Sequence, residues 1–220
     1  MAQLSVVRYQ GTYSDARGQE IIAFLNDGKT LQTTIRGVEF SGPDFDGMSP
    51  VNGSIDLMGF TLNHGELCAC LLAFGVPVPV IVQGSEVSGV LRVQLELGAP
   101  APNGGIDGLR LVIVLEYDEH RVASSGSSGG FFRDELADIQ RQLPKSVYIK
   151  ACINCLFSGY NPGGHGLYGG MMCFRNIKSE YLQVKSKRDF FSVVGRKDRF
   201  VQETYLCSEF SRRIPGMYGR

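Results

Sequence analysis

The chain has 220 residues, of which 43% are hydrophobic, and its 22 basic and 22 acidic residues leave no formal net charge. This length and composition suffice for a sizeable core in one large or two small domains, and they exclude a disordered or fibrous protein. The first residues, MAQLSVVRYQGTYSD, lack the basic and apolar regions of a secretory signal. The longest apolar run, residues 71–82, is too short to span a bilayer and contains two prolines. We therefore expect a soluble, cytoplasmic protein that has no membrane partner.

Charge is unevenly distributed along the chain. Residues 151–220 carry 11 Lys and Arg against five Asp and Glu, whereas acidic residues are in excess in residues 1–150. Either the two parts attract each other across an interface, or the C-terminal part binds an acidic partner or nucleic acid. Nucleic acid is the weaker explanation, because the basic cluster at Lys185, Lys187 and Arg188 is equally typical of a solvated helix face.

The first half of the chain is predicted to be rich in β-strands. Asp27-Gly28 separates two apolar runs, which is a strong hairpin signal. Residues 89–98 alternate between apolar and polar side chains, and residues 109–117 are typical of a strand buried on both faces. Residues 66–74 predict another strand, in which Cys68 and Cys70 pack into the core. Short strands separated by turn residues predict a β-sandwich or open barrel over residues 1–122.

A linker or loop is predicted at residues 123–130, ASSGSSGG, because these side chains are too small and polar to pack. Four apolar residues within residues 132–143 then share one helical stripe, and Pro144 follows as a stop signal. Residues 177–194 predict a second amphipathic helix, and residues 199–207 predict a last strand. We expect residues 131–220 to form an α+β part, either separate from residues 1–122 or packed with them as one domain.

Four of the six cysteines have a spacing that predicts a metal site. Cys152 and Cys155 form a C-x-x-C pair, whose turn lets two thiolates converge on one zinc ion. Cys173 and Cys207 would complete a tetrahedral site, and His165 could replace one sulfur. Because Cys173 and Cys207 are not a second tight pair, burial of the thiols as small apolar groups stays open as the alternative. A redox pair fits less well, since a turn rather than a helix follows the C-x-x-C motif.

Residues 164–169, GHGLYG, match the dinucleotide-binding pattern G-x-G-x-x-G literally. That fingerprint requires a strand directly before it and a helix directly after it, whereas here a Pro-containing turn precedes and a β-like run follows. We therefore interpret these glycines as part of a turn or metal knuckle. A catalytic nucleophile is another alternative, with Cys155 or Cys173 paired to His165. Residues 42–47, GPDFDG, are interpreted as a turn rather than as a calcium loop.

The segment from Cys152 to Asn176 has the pattern C-x-x-C-x-F-S-x-Y-x-P-x-G-x-G-L-x-G-x-x-x-C-F-R-N, and it is followed by VKSK, VQETYLC and EFSRRIPG. Together with RGVEFSGPDFDG in the first half, it resembles an uncharacterised family of bacterial proteins of unknown function that is common in actinomycetes. The resemblance implies no activity and no catalytic residue. It does imply a shared metal site, because the family pattern includes the positions of Cys152, Cys155, Cys173 and Cys207. Proteins of similar size occur among the immunity and accessory proteins of bacterial toxin and specialised-metabolite gene clusters. By analogy with them, the resemblance implies a binding role.

These observations predict an α+β protein, in which a mostly antiparallel β-sandwich or open barrel precedes a helix-containing, cysteine-rich C-terminal part. The leading hypothesis is a bacterial binding or accessory protein, of the immunity type by analogy. Its structural zinc would present a surface to a protein partner or a small apolar ligand. The first alternative is an enzyme of a specialised-metabolite pathway that uses a Cys–His pair or an open zinc site. The second alternative is nucleic-acid binding through the basic C-terminal part.

Overall fold

The computed structural model describes residues 6–51, 57–127 and 130–213. In its first part it has the strands β1 (Val7–Asp15), β2 (Gly18–Asn26), β3 (Leu31–Ile35), β4 (Val38–Gly42), β5 (Ser49–Pro50), β6 (Leu62–Asn63), β7 (Glu66–Leu67), β8 (Cys70–Val82), β9 (Ser85–Leu97), β10 (Leu109–Tyr117) and β11 (His120–Ala123). The second part has the strands β12 (Val147–Ile149), β13 (Ser158–Tyr160), β14 (Met171–Cys173) and β15 (Arg199–Val201). Its helices are α1 (Phe132–Gln142), α2 (Lys178–Leu182) and α3 (Lys187–Val193). Short 3₁₀ turns lie at Leu57–Gly59, Cys152–Asn154, Arg175–Ile177 and Val194–Arg196.

One continuous antiparallel sheet dominates the molecule. Its strand order is β11-β10-β9-β8-β1-β2-β3-β4-β5, and β12 pairs with β8 as a tenth strand. The long hairpin of β8 and β9 pairs from Cys70 opposite Leu97 to Val82 opposite Ser85. The prediction of a mostly antiparallel α+β fold is confirmed. Within the described residues, these ten strands form one open sheet.

Side-chain alternation places one face of this sheet in the core. The four apolar residues Leu91, Val93, Leu95 and Leu97 of β9 are buried while the polar residues between them are exposed, as the alternating pattern predicts. The Asp27-Gly28 turn between β2 and β3 is also confirmed. β10 differs from the prediction, because only alternate residues are buried and those on its other face are half-buried.

The strand predicted over residues 66–74 is interrupted. Ala69 adopts a left-handed backbone with φ of +51°, so β7 ends before it and β8 begins after it. Cys68 and Cys70 are nevertheless both buried, as expected.

Two prolines lie within β8 without disrupting the sheet. On the side of β8 opposite β9, β1 pairs with residues up to Phe74 and β12 pairs from Val80 onward. Pro77 and Pro79 fall in the gap between these two partners, where a missing N–H leaves no ladder bond unmade. The prolines therefore lie where the neighbour of β8 on this side changes from β1 to β12.

Helix α1 packs on the sheet with the predicted stripe. Phe132, Leu136, Ile139 and Leu143 are buried in the same hydrophobic cluster as the strands of the first part. The segment before α1, predicted as a linker or loop, is anchored where it is described. Ser124 exchanges hydrogen bonds with Ile113, and the Ser125 and Gly126 amides donate to carboxylates of α1. The domain boundaries stay a prediction, although the core includes residues from both sides of this segment.

The C-terminal part departs from the sequence prediction at two places. Residues 177–194 form not one helix but α2 and α3, because Ser186 caps α3: its side chain accepts from the Asp189 amide, and the Asp189 carboxylate accepts from the Ser186 amide. The strand predicted over residues 199–207 ends at Val201 as β15, so Cys207 lies in a turn-rich segment instead. β13, β14 and β15 form a separate three-stranded antiparallel sheet. Among the described residues, the helices are all too short or too polar to cross a membrane.

Candidate functional site

The C-x-x-C motif forms a tight turn at the start of the C-terminal part. The Cys155 amide donates to the Cys152 carbonyl at 3.0 Å, which closes the 3₁₀ turn. The Ser158 hydroxyl lies 2.6 Å from the Cys152 carbonyl and 3.0 Å from the Cys155 carbonyl. Arg213 also donates to the carbonyls of Cys155 and Ser158. The turn is therefore fixed from both its own chain and the C-terminal segment.

The other two predicted ligands approach this turn from separate segments. Cys173, at the end of β14, pairs with Ser158 of β13 and shares a small hydrophobic cluster with Cys152. The segment that carries Cys207 runs alongside, because the Cys152 amide donates to the Tyr205 carbonyl at 2.7 Å. Four cysteines from three parts of the sequence thus lie in one region, and all of them are free thiols.

The cysteine cluster, which we define as Cys152, Cys155, Cys173 and Cys207, is electrostatically coupled. Burial raises the pKa of Cys152, and the three other thiols of the cluster raise it further. Burial also raises the pKa of Cys173, against a lowering by the amide and charge of Arg175. These shifts oppose the thiolate that a nucleophilic cysteine needs. Within the described residues, no group of three or more His, Cys, Asp or Glu side chains is arranged so that it could hold a metal ion.

The described contacts of His165 include none of these thiols. Its ring centroid is 4.5 Å from that of Tyr160 and 5.2 Å from that of Phe131, and its Nε2 atom is 3.3 Å from Arg133 Nη1. Its Nδ1 atom is 3.0 Å from the Gly166 carbonyl. The geometry brings no thiol into this set, so a role for His165 as a substitute ligand stays a prediction.

The glycine-rich loop, residues 163–170, is held by two buried carboxyl groups. The Tyr168 amide donates to Asp44 at 2.8 Å, and the next amide, of Gly169, donates to Glu203 at 2.7 Å. A Cβ atom at Gly166 would lie 2.9 Å from an Asp44 carboxylate oxygen, so this close approach requires glycine. Because these two amides are already used, the loop does not offer them to a phosphate, in agreement with the sequence interpretation.

Both carboxyl groups have shifted proton affinities. Burial raises the pKa of Asp44 to about 8, and the negative charge of Asp46 adds to the shift. Burial raises the pKa of Glu203 to about 7, although the Gly169 amide and the Tyr160 hydroxyl lower it. The sequence suggested only a turn at Asp44 and nothing at Glu203. Their contacts join residues that are 124 positions apart for Asp44 and Tyr168 and 34 positions apart for Glu203 and Gly169, and a local pattern carries no signal for either.

A buried network of neutral polar groups joins the sheet to the C-terminal part. The side-chain amides of Asn26 and Gln202 exchange two hydrogen bonds, at 2.7 and 2.9 Å. Asn26 also donates to the Tyr9 hydroxyl, and the Tyr168 hydroxyl contacts Thr204. Such satisfied buried groups fix one arrangement of the two parts, because an alternative packing would leave them unpaired.

Two concave surfaces flank these features. A cleft of about 580 Å³ lies beside the glycine-rich loop, with Lys29, Asp44 and Arg199 in its lining. A larger groove of about 690 Å³ lies between α1 and the start of α3, and Ile153 and Asn154 of the C-x-x-C turn line it. Local sequence patterns indicate neither surface, since each is built from several separate segments.

The structure therefore defines an antiparallel α+β protein with a buried cysteine cluster and a carboxylate-anchored glycine-rich loop. The chain belongs to a family of unknown function (DUF6304), whose family model matches residues 7–158. The match covers the large sheet, α1 and the C-x-x-C turn, and it ends before Cys173 and Cys207. No curated protein and no solved structure is significantly similar to the chain.

Proposed function

We propose that this protein is a non-catalytic binding protein whose C-terminal part is stapled by one zinc ion on the cysteine cluster. The observation that carries the proposal is the convergence of Cys152, Cys155, Cys173 and Cys207, which lie up to 55 positions apart, on one small region. Three of these thiols are buried and Cys207 is half-buried. Neighbouring buried thiols are costly to ionise alone, and a divalent cation would remove that cost.

Zinc binding requires the sulfurs to move together. Cys152 and Cys155 belong to one 3₁₀ turn, so their sulfur atoms start close to each other in the chain. Cys207 follows β15 in a segment with neither helix nor strand at that position, so its approach to the turn would break no regular element. The metal would then join β14, the C-x-x-C turn and the last segment at one point.

A binding role is better supported than an enzymatic one. The thiols with resolved shifts have raised rather than lowered pKa values, and His165 contacts aromatic rings and Arg133. Asp44 and Glu203 are used to hold the glycine-rich loop. We infer an accessory role in which the C-terminal part presents a surface to its ligand, and the immunity type is the form suggested by analogy.

The test is the zinc content of the purified chain and of single Cys→Ser variants. We expect about one zinc per chain, which is lost or greatly weakened in Cys152→Ser and Cys207→Ser. The matched control is Cys68→Ser, because Cys68 is a buried thiol outside the cluster that contacts the Thr61 carbonyl. Wild-type zinc content in Cys207→Ser would refute the four-cysteine site. A zinc-free wild-type chain of normal stability would refute the metal altogether.

A further inference from the structure

The groove between α1 and α3 is strongly basic. Five of its lining residues are cationic, and none is acidic. Arg133 and Arg141 are on α1, Lys185 and Lys187 flank Ser186 at the start of α3, and Arg213 belongs to the last described segment. A ligand in the groove would therefore meet positive charge from three separate segments.

Two of these five cations, both lysines, have no carboxylate partner among the described residues. Among the described residues, no carboxylate lies within ion-pair distance of the ammonium groups of Lys185 and Lys187. Arg141 pairs with Asp138 at 3.1 Å, and Arg133 lies 3.8 Å from Asp134, but both arginines are more than half exposed. Exposed pairs of this kind contribute little and yield readily to a stronger anion.

Where the structure describes both, the excess charge of the C-terminal part does not pair with the acidic first part. Between described residues, none of the ion pairs joins residues 1–150 to residues 151–220. The contacts between the two parts include the neutral Asn26–Gln202 pair and the hydrogen bond from the Tyr168 amide to Asp44 instead. The first explanation of the charge asymmetry was mutual attraction between the two parts. No ion pair among the described residues supports that explanation.

The lining also restricts the kind of anion. Tyr160 is already covered by Arg133, whose guanidinium carbon is 5.2 Å from the ring centroid, and by His165. Phe190 is only 3% exposed. The groove thus lacks an open aromatic face of the sort on which nucleobases stack. Asn161 and Ser186 in the lining are suited to hydroxyl groups.

We propose that this groove binds a small polyol or sugar that carries two or more phosphate groups. Arginine matches phosphate geometry with paired donors, and lysine supplies a point charge, so the two walls would each hold one phosphate. The proposal deepens the binding role proposed above by naming the ligand class. It does not depend on the metal, because α1, which carries Arg133 and Arg141, is held on the large sheet by its buried residues Phe132, Leu136 and Ile139.

The test is isothermal titration calorimetry of the full chain at low salt. Fructose 1,6-bisphosphate and inorganic tripolyphosphate are the probes, and fructose is the uncharged control. We expect saturable binding of at least one phosphate probe, no binding of fructose, and weaker binding as salt rises. The double variant Lys185→Gln/Lys187→Gln should weaken binding by about tenfold or more, since each charge-assisted contact to phosphate is strong.

Arg188→Gln is the matched control, because Arg188 is an exposed cation on the same helix that does not line the groove. Its affinity should stay within about twofold of the wild type. Equal losses in the two variants, or no saturable binding of either phosphate probe by the folded chain, would overturn the proposal. So would a twelve-nucleotide poly(dT) strand that binds more tightly than both probes. If the chain contains no zinc but binds the bisphosphate, the groove proposal is supported and the zinc proposal is contradicted. If the chain contains zinc but does not bind the bisphosphate or tripolyphosphate, only the groove proposal is contradicted.

Discussion

Asp44 and Glu203 show how two residues far apart in sequence set the shape of one loop. Each accepts a hydrogen bond from one of two consecutive amides, at Tyr168 and Gly169, and each is buried. Their raised pKa values mean that the folded chain keeps protons that the unfolded chain has already lost near neutral pH. The stability of the fold around the glycine-rich loop should therefore depend on pH through Asp44 and Glu203.

The sign of this link can be measured. A group whose pKa is raised on folding stabilises the fold below its unfolded value, and that stability is lost as pH rises through its folded value. The free energy of unfolding should therefore fall between pH 5 and pH 8, by up to about 1.4 kcal/mol per pH unit for each group. Below this window Asp15 acts in the opposite sense, because the Arg36 guanidinium holds its pKa well below the usual range.

Urea unfolding at several pH values tests this prediction. Asp44→Asn should flatten the decline between pH 5 and pH 8, whereas the exposed Glu119→Gln should keep the wild-type slope. An unchanged slope in Asp44→Asn would show that the Asp44 carboxyl does not titrate in this window.

At the scale of elements, the break between α2 and α3 decides the shape of the basic groove. α2 ends at Leu182 and Ser186 caps the start of α3, and the adjacent Lys185 and Lys187 line the groove together with residues of α1. The cap is reciprocal, because Ser186 and Asp189 each accept from the other's amide. A continuous helix over residues 177–194 would not have placed both lysines in one wall.

Ser186→Ala tests the contribution of this cap. The substitution leaves the Asp189 amide without its side-chain acceptor, so we expect a loss of about 1 kcal/mol in the free energy of unfolding. Ser179→Ala in α2 is the control, since Ser179 is exposed, and it should change stability by less than about 0.5 kcal/mol. Unfolding followed by circular dichroism suits a chain that has no tryptophan. Equal stabilities of the two variants would argue against the capping box.

The sequence predicts those elements that depend on local periodicity. The alternation in β9, the Asp27-Gly28 turn and the apolar stripe of α1 are all present, because one buried face is enough to impose each pattern. The Ser186-x-x-Asp189 capping box was readable as well, but the apolar pattern across it favoured one helix. Sequence reasoning missed the buried carboxyl groups and the groove, because neither is formed by neighbours along the chain.

In the whole molecule, two parts of opposite charge are joined without an ion pair between described residues. The Asn26–Gln202 pair and the hydrogen bond from the Tyr168 amide to Asp44 fix the C-terminal part on the large sheet. Ile153 and Tyr160 line the basic groove and also pack against Cys152 and Cys173, so the groove and the cysteine cluster are neighbours. We propose zinc for the cluster and a phosphorylated ligand for the groove, and each proposal is tested separately.

X-ray absorption at the zinc edge of the purified full chain would show directly whether the cysteine cluster binds zinc. The account predicts zinc bound by four sulfur atoms at about 2.3 Å, with no nitrogen or oxygen neighbour in the first coordination shell. One nitrogen in place of a sulfur would point to a histidine ligand and exclude the four-cysteine site. A first shell of nitrogen and oxygen alone, or a chain without zinc, would contradict the account.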